Sequence, residues 1–177
     1  MDFADRMTAI AKALDADPEE AAALAQGLEE ELLAADDTDP VELGWARDYR
    51  VRALHRLGRH REGLALVTTP PPRPMALRSR NAAWLHSVAA EMATEVGEVA
   101  QIRPLIAKAL DLRLQVDDAE SVRMAVETGI ALLRRAERGG ALTGALVGEL
   151  DRWLDEVEAR AYAERYLALI DTLADAA

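Results

Sequence analysis

A chain of 177 residues that is 50% apolar but only 4% aromatic fits one domain with a core of Leu, Ala, Val and Ile, as in helical bundles and helical repeats. It contains no cysteine, which excludes disulfides, thiolate metal ligands and cysteine nucleophiles. The net charge of −11 opposes binding to phosphate backbones, so we expect no nucleic acid partner and favour a basic protein partner.

The first three helices are predicted by apolar stripes and by helix-start signals. The stripes are Phe3, Met7, Ile10 and Leu14 in the first helix and Ala21, Leu24, Leu28 and Leu32 in the second. Their spacings of three and four residues place each set on one helical face. The pairs Asp17-Pro18 and Asp39-Pro40 each combine a capping side chain with a proline at the first helical position. The third helix is predicted to run to about Leu57.

A run of prolines at positions 70–74 separates the fourth and fifth helices. Gly58 favours the left-handed conformation that ends the third helix, and residues 62–67 supply only a short fourth one. The proline run predicts a stiff, extended connection because it cannot be helical. The fifth helix is marked by apolar residues from Leu77 and ends at Gly97. Pro104 lies either in the first turn of the sixth helix or at a kink in it.

Three further helices are predicted in the last third of the chain, opened by Asp117-Asp118 and interrupted at Gly139-Gly140. The last two are not separated by Gly or Pro, which leaves open whether they are continuous. No segment shows the period-two alternation of a hairpin. We therefore predict an all-α single domain, 1–177, of about eight or nine antiparallel helices. Its parts are residues 1–69, the proline-rich connection 70–74 and residues 75–177.

The segment ALHRLGRHREGLAL, residues 53–66, resembles a tetratricopeptide repeat across its helix-turn-helix joint. In that family a glycine ends the first helix and a small residue five positions later lets the second helix pack closely, and Gly58 and Gly63 match. A weaker echo follows Gly97, where AKALDL, residues 107–112, looks like the end of a repeat's second helix, although Ile102 replaces the expected small residue. The spacing departs as well, because Gly58, Gly97 and Gly139 are 39 and 42 residues apart against about 34 in the family.

The resemblance covers only about residues 46–112 and implies an irregular, right-handed array of antiparallel helix pairs. A closed helical bundle is the alternative. Proteins of the family mostly bind other proteins or peptides on the concave surface formed by their first helices, although fold alone does not settle function. The resemblance therefore predicts a groove walled by the third and fifth helices.

The residues that usually carry catalysis or bind metals occur without the required spacing. The histidines His55, His60 and His86 lack the spacing of a helical metal site. We expect His55 and His60 to be solvent-facing polar residues on either side of the Gly58 turn. The serines Ser79, Ser87 and Ser121 lie outside any nucleophile elbow, and the glycines lack the Lys-Ser/Thr of a P-loop. We predict no enzyme activity, no metal and no cofactor.

Carboxylates are abundant but are predicted to be solvated. Glu91 and Glu95 are one helical turn apart and would share a proton or a metal ion only if they faced inward. They flank the apolar stripe instead of lying on it. The runs 29–31 and 36–37 are likewise expected to be ordinary exposed charge. An unrecognised carboxylate-based enzyme is kept as an alternative that requires inward-facing acids.

The charges are unevenly distributed along the chain. Residues 1–40 contain twelve acidic and two basic side chains, whereas residues 41–80 contain three acidic and nine basic ones. Six of these nine are arginines of the third helix and the turn after it: Arg47, Arg50, Arg52, Arg56, Arg59 and Arg61. They are suited to bidentate binding of carboxylates or phosphates, but we favour internal pairing with the acidic first helices. The candidate binding residues are Trp45, Tyr49, Arg47, Arg50, Arg52, Arg56 and Trp84, although we favour core positions for the tryptophans.

Targeting signals are not recognised. The acidic N-terminal sequence lacks the positive and apolar regions of a secretory signal, and no apolar run approaches the roughly 20 residues of a membrane span. We therefore expect a cytoplasmic protein without a membrane partner. Lys occurs only at Lys12 and Lys108 among 21 basic residues, a bias that we associate with a GC-rich bacterial genome.

The sequence thus predicts a non-catalytic domain that binds another protein or peptide. A specific form is an inhibitor, such as an immunity protein that neutralises a basic toxin by charge-complementary binding. The alternative from another class is a regulatory module that senses a small anionic ligand through its arginine-rich helix.

Overall fold

The computed structural model describes residues 2–115. The helices of this region are α1 (Phe3–Ala16), α2 (Pro18–Ala34), α3 (Pro40–Arg56), α4 (His60–Thr68), α5 (Ser79–Val96) and α6 (Val99–Leu114). No strand occurs among these residues, which confirms the all-α prediction for this part of the chain. The predicted seventh to ninth helices lie outside the described residues. Within residues 2–115 no helix has the length and apolar character needed to cross a bilayer.

Aspartate side chains start the first three helices. Asp17 accepts hydrogen bonds from the backbone N–H groups of Glu19 at 3.1 Å and Glu20 at 3.2 Å. Asp39 accepts one from the N–H of Val41 at 2.8 Å, and Asp2 caps α1 in the same way. These bonds satisfy amides that the first turn of a helix leaves without partners. The predicted caps at Asp17 and Asp39 are confirmed.

Left-handed glycines end α3 and α5. Gly58 has a φ of +70° and Gly97 a φ of +79°, which is a region that residues with a Cβ rarely adopt. After α3, the N–H of Gly58 donates to the carbonyl of His55 at 3.1 Å and that of Arg59 to Leu54 at 2.9 Å. This pair of bonds is the Schellman motif. The predicted helix ends at both glycines are confirmed.

The chain divides into two compact units, Met1–Asn81 and Ala82–Ala177. In the first unit α1 packs on α2, α2 on α3 and α3 on α4, and α1 also contacts α3. The buried residues between α1, α2 and α3 are Ala13, Leu14, Ala21, Ala22 and Ala53 in one cluster and Ile10, Ala25, Leu28 and Ala46 in another. Tyr49 packs against both clusters. Many of these side chains are alanines, so α2 and α3 approach closely.

The buried face of α2 differs from the predicted stripe at Leu24, which is 41% exposed. The residues that α2 does bury are Ala21, Ala22, Ala25, Leu28 and Glu29. That face is centred on Ala25, and Leu24 lies at its edge. The helical periodicity predicted that the larger side chain, Leu24, would be buried. The close contact made by the alanines decides the orientation of α2 instead.

The proline-rich connection at residues 70–74 is non-helical, as predicted. Together with the residues up to Leu77 it lies along the start of α3. The N–H of Ala76 donates to the carbonyl of Pro40 at 2.8 Å, and Arg73 donates to the carbonyl of Ala35. A Cβ at position 44 would stand 2.1 Å from the carbonyl oxygen of Ala76, so only glycine permits this approach. Leu77 packs at the same place and precedes α5, which begins at Ser79, although the sequence predicted Leu77 within the fifth helix.

The described part of the second unit consists mainly of α5 and α6. Among its buried residues are Leu85, Val88 and Met92 of α5 and Ile106 and Leu110 of α6. Pro104 lies inside α6 and beyond its first turn, which excludes the first of the two positions that the sequence left open. Its ring nitrogen cannot donate to the carbonyl one turn earlier.

Candidate functional site

The arginines of α3 lie on two sides of the helix, and the first side faces α2. Arg47 Nε donates to Glu29 Oε1 at 2.7 Å, and Arg50 Nη1 donates to Glu29 Oε2 at 2.9 Å. The side chains of Glu29 and Arg47 are only 2% and 7% exposed. Arg50 also donates to Gln26 Oε1 at 3.3 Å. A single buried carboxylate therefore holds two guanidinium groups and joins α2 to α3.

The prediction that Glu29 is exposed is wrong. Both of its carboxylate oxygens accept charge-assisted hydrogen bonds, which is the condition under which a carboxylate is tolerated inside a protein. Its position contained a signal, because it is one helical turn after the buried Ala25. The neighbouring Glu30 and Glu31 are exposed, as are Asp36 and Asp37, in agreement with their predicted solvation.

Two further arginines form ion pairs with acidic side chains of α1 and α2. Arg56 is the last residue of α3, and Arg59 lies just before α4. Arg56 Nη1 contacts Asp15 Oδ1 at 2.8 Å and also donates to the carbonyl of Leu14. Arg59 contacts Glu62 at 2.7 Å and Glu19 at 3.3 Å. These side chains are largely exposed, and such surface pairs contribute about 0–1 kcal/mol each. The positive charges of Arg56 and Arg59 are therefore already neutralised by carboxylates of the same chain.

Asp48, on α3, is the second buried acid after Glu29 on α2. It was not singled out from the sequence. Its Oδ2 accepts a hydrogen bond from Arg52 Nε at 2.9 Å, whereas its buried Oδ1 has no hydrogen-bond partner. Burial raises the pKa of Asp48, and the charge of Arg52 acts in the opposite direction. Asp48 lies one helical turn after Gly44, which is also buried. This spacing is the signal by which the sequence identifies its face.

The second side of α3 carries an aromatic stripe, which we define as Trp45, Tyr49, Arg52 and Arg56. Their spacings of four, three and four residues place them on one side of the helix. The ring centroids of Trp45 and Tyr49 are 6.4 Å apart at an angle of 45°. The guanidinium carbon of Arg52 is 5.6 Å from the Tyr49 centroid, within the range of a cation–π interaction. The first three side chains are half-buried and that of Arg56 is exposed.

The structure thus brings together only some of the candidate binding residues. Trp45, Tyr49, Arg52 and Arg56 form the aromatic stripe, whereas Arg47 and Arg50 are bound to Glu29 on the opposite side. Trp84 lies on α5 in the second unit and is half-buried. The groove between the third and fifth helices stays a prediction.

The histidines at the α3–α4 joint lie close together. His55 and His60 are both half-buried instead of fully solvent-facing as expected, and their ring centroids are 5.6 Å apart with an angle of 34°. The third histidine, His86, is half-buried on α5. Burial lowers the pKa of His86, and the positive charge of Lys108 lowers it further. Residues 2–115 contain no cluster of three or more His, Asp or Glu side chains able to hold a metal ion.

The first unit presents an excess of carboxylates to solvent. Those that are exposed and have no ion pair are Asp2, Asp5, Asp17, Glu20, Glu30, Asp36, Asp37 and Asp39. Asp2, Asp17 and Asp39 among them cap helices. In the second unit Glu95 is exposed and Glu91 half-buried. The acidity of the first forty residues therefore persists at the surface after the arginines of α3 have paired.

Comparison with known proteins gives no match to a protein family, to a curated protein or to a solved structure.

Proposed function

We propose that this chain is a non-catalytic, helical-repeat binding domain whose acidic surface on α1 and α2 captures a basic protein or peptide. The observation that supports this function is the internal pairing of Arg47, Arg50, Arg56 and Arg59 with carboxylates. This pairing removes the main cationic cluster of the chain from the pool of charges that a partner meets. The remaining exposed carboxylates set the sign of the surface.

The same pairing disfavours the alternative of an anion sensor. An anion that bound Arg47 and Arg50 would have to displace Glu29, whose side chain is only 2% exposed. The displaced carboxylate would stay buried without its partners, and breaking a buried pair in this way costs about 3–5 kcal/mol. A small ligand would have to compensate this loss before it bound with any net affinity.

A basic partner meets no such obstacle at the α1–α2 surface. Asp36 and Asp37 stand at the turn after α2, and Glu20 and Glu30 lie on the outside of the helix; all four are exposed and have no ion pair. Exposed charges of one sign attract an oppositely charged protein over about a Debye length of roughly 8–10 Å and accelerate its association. An inhibitor that must meet a basic toxin quickly would use this property, and we propose that form specifically.

The packing of the helices is consistent with an open, tetratricopeptide-like array. α1 packs on α2, α2 on α3 and α3 on α4, and α1 also contacts α3, as alternate helices do when successive pairs stack. The sharp joint at Gly58, with the buried Gly63 on α4, matches the residues that carry the resemblance. In such an array the aromatic stripe of α3 supplies the specific contacts that follow charge-driven encounter.

The test is binding to a basic partner under graded salt. Tagged protein captures partners from a lysate of the source cells at ~50 mM NaCl, and a captured basic protein is then purified and titrated at ~50 and ~300 mM NaCl. We expect the affinity to fall with salt and to fall in the double variant Asp36→Asn/Asp37→Asn. The matched control is Glu98→Gln/Asp111→Asn, which removes two exposed carboxylates from the second unit and should leave the affinity unchanged.

Two results would contradict this function. One is a partner whose affinity is independent of salt and of both double variants. The other is a thermal-shift screen of phosphates, nucleotides and carboxylic acids in which an anion stabilises the chain and Arg50→Gln abolishes the effect. The second result would establish the anion-sensing alternative.

A further inference from the structure

We propose that His55 and His60 form a two-histidine site for a divalent transition metal ion at the joint between α3 and α4. This site is independent of the acidic binding surface. His55 lies in the last turn of α3 and His60 is the first residue of α4. Their separation of five residues is not a helical metal-binding spacing, and the Gly58 turn brings the rings together instead.

The turn that holds the two histidines is a fixed element. The carbonyl of His55 itself accepts the hydrogen bond from the N–H of Gly58 at 3.1 Å, and the N–H of Arg59 donates to Leu54 at 2.9 Å. Gly58 has the positive φ that this motif needs. The backbone on both sides of the site is therefore set by local hydrogen bonds and not by the side chains of the histidines.

The distance between the rings fits a shared metal ion. When two imidazoles bind one zinc ion with tetrahedral geometry at about 2.0–2.1 Å, their ring centroids lie roughly 5 to 6 Å apart. The centroids of His55 and His60 are 5.6 Å apart. The proposed site requires a side-chain rotation that aims one nitrogen of each ring at a common point.

The charges around the joint tolerate a cation. The C-terminal end of α3 directs partial negative charge toward this region and the N-terminal end of α4 partial positive charge, so the two helix ends offset each other. The adjacent Arg56 and Arg59 are neutralised by ion pairs to Asp15, Glu19 and Glu62. Arg61 is exposed, and water and salt screen its charge.

The donor set selects the class of metal. Two neutral imidazoles suit Zn²⁺, Cu²⁺ and Ni²⁺ and not Mg²⁺ or Ca²⁺, which prefer oxygen ligands. Since no group of three His, Asp or Glu ligands exists among residues 2–115, two protein ligands leave open coordination positions for water or for a group from a partner. A bound ion would join the end of α3 to the start of α4 and stabilise the folded chain.

The experiment is isothermal titration with ZnCl₂ and NiCl₂, supported by electron paramagnetic resonance of the Cu²⁺-loaded protein. We expect one ion per chain, a Cu²⁺ signal coupled to two nitrogens, and no heat with MgCl₂. The variant His60→Gln should lower the affinity by about ten-fold or more, because one of two ligands is lost. His55→Gln should do the same, and circular dichroism checks that each variant is folded.

The matched control is His86→Gln, since His86 is the remaining histidine of the chain and lies in the second unit. It should keep the affinity and the stoichiometry of the unaltered chain. The site is overturned if Zn²⁺ and Ni²⁺ give no heat at millimolar concentration, if folded His60→Gln binds as tightly as the unaltered chain, or if His86→Gln loses binding.

Discussion

Glu29 is the residue on which the pairing of α2 with α3 depends most directly. It accepts hydrogen bonds from both Arg47 and Arg50, and its side chain is 2% exposed. The network is worth little more than a well-packed apolar contact as long as it is intact. Removing one partner lowers the stability much more, because the other charge then stays in the interior without a counter-charge.

We predict that Glu29→Gln lowers the free energy of unfolding by about 3–5 kcal/mol, because the amide leaves the buried guanidinium of Arg47 without a counter-charge. Urea denaturation followed by circular dichroism measures the change. The matched control is Glu30→Gln, at the exposed neighbouring position, which should change stability by less than about 0.5 kcal/mol. Equal effects of the two substitutions would show that the Glu29 network is not buried as described.

Asp48 gives a pH dependence whose sign follows from burial. Its pKa is raised because its side chain is buried away from water, so the folded state binds a proton more tightly than the unfolded state does. The stability that this provides is fully present below the ordinary pKa of aspartate, about 3.9, and is lost as the pH rises through the raised pKa of the folded state.

We therefore predict that Asp48→Asn becomes more stable relative to the unaltered chain as the pH rises from about 4 to 7, because asparagine does not ionise. Urea denaturation at several pH values measures the difference. Asp36→Asn, in the exposed turn after α2, serves as the control for the loss of one negative charge. A difference between Asp48→Asn and the unaltered chain that stays constant or shrinks with rising pH would refute a raised pKa.

At the scale of elements, the docking of the proline-rich connection on α3 depends on the absence of a side chain at position 44. Ala76 donates to Pro40 at 2.8 Å, and its carbonyl oxygen occupies the space of a Cβ. The chain contains a matched helical glycine, Gly27, where an added Cβ would meet no atom within 4 Å. The two positions therefore separate the cost of a contact from the ordinary benefit of replacing glycine in a helix.

We predict that Gly44→Ala destabilises the chain by about 1–3 kcal/mol, because the connection must move away from α3. Gly27→Ala should instead stabilise it by about 0.5–1 kcal/mol, since alanine favours the helix. Thermal unfolding of both variants gives the comparison. If Gly44→Ala is as favourable as Gly27→Ala, the connection does not pack on α3 in solution.

Sequence patterns predicted these elements well where the signals are local. The caps at Asp17 and Asp39 and the helix ends at Gly58 and Gly97 were all predicted, because each depends on bonds to residues two to five positions away. Leu77 was misplaced, since its contact at Gly44 lies more than thirty residues away in the sequence. Pattern alone cannot weigh such a contact against helix formation.

At the scale of the whole molecule, the net charge of −11 sets the sign of the long-range field that the proposed basic partner would encounter. Internal pairing of the α3 arginines leaves Asp36, Asp37 and their exposed neighbours as the charges that act at long range. Such charges act on the encounter more than on the final complex.

We predict that the association rate constant with the captured basic partner falls as ionic strength rises, while the dissociation rate constant changes little. Stopped-flow measurements on the unaltered chain and on Asp36→Asn/Asp37→Asn test this, and the double variant should have a smaller salt dependence. Glu98→Gln/Asp111→Asn is again the control. A salt effect confined to dissociation would contradict charge-steered association.

Part of the candidate site could be anticipated from the sequence. The internal pairing of arginines with the acidic first helices was favoured because the two segments have opposite charge. The aromatic stripe follows from the helical spacing of its residues. The buried positions of Glu29 and Asp48 were missed, since a run of acids and an isolated aspartate on an amphipathic helix usually face water.

The sequence by itself determined that the elements of residues 2–115 are helices, that α2 and α3 start at Asp17 and Asp39 and that the surface is acidic. It also determined that Gly58 and Gly97 end helices, because caps, glycines and composition act over a few residues. Tertiary structure decided which charges are buried, that Leu24 is exposed and that the carbonyl of Ala76 lies against Gly44. Each of these depends on which elements come into contact, and the alanines between α2 and α3 set the separation at which Glu29 reaches its two arginines.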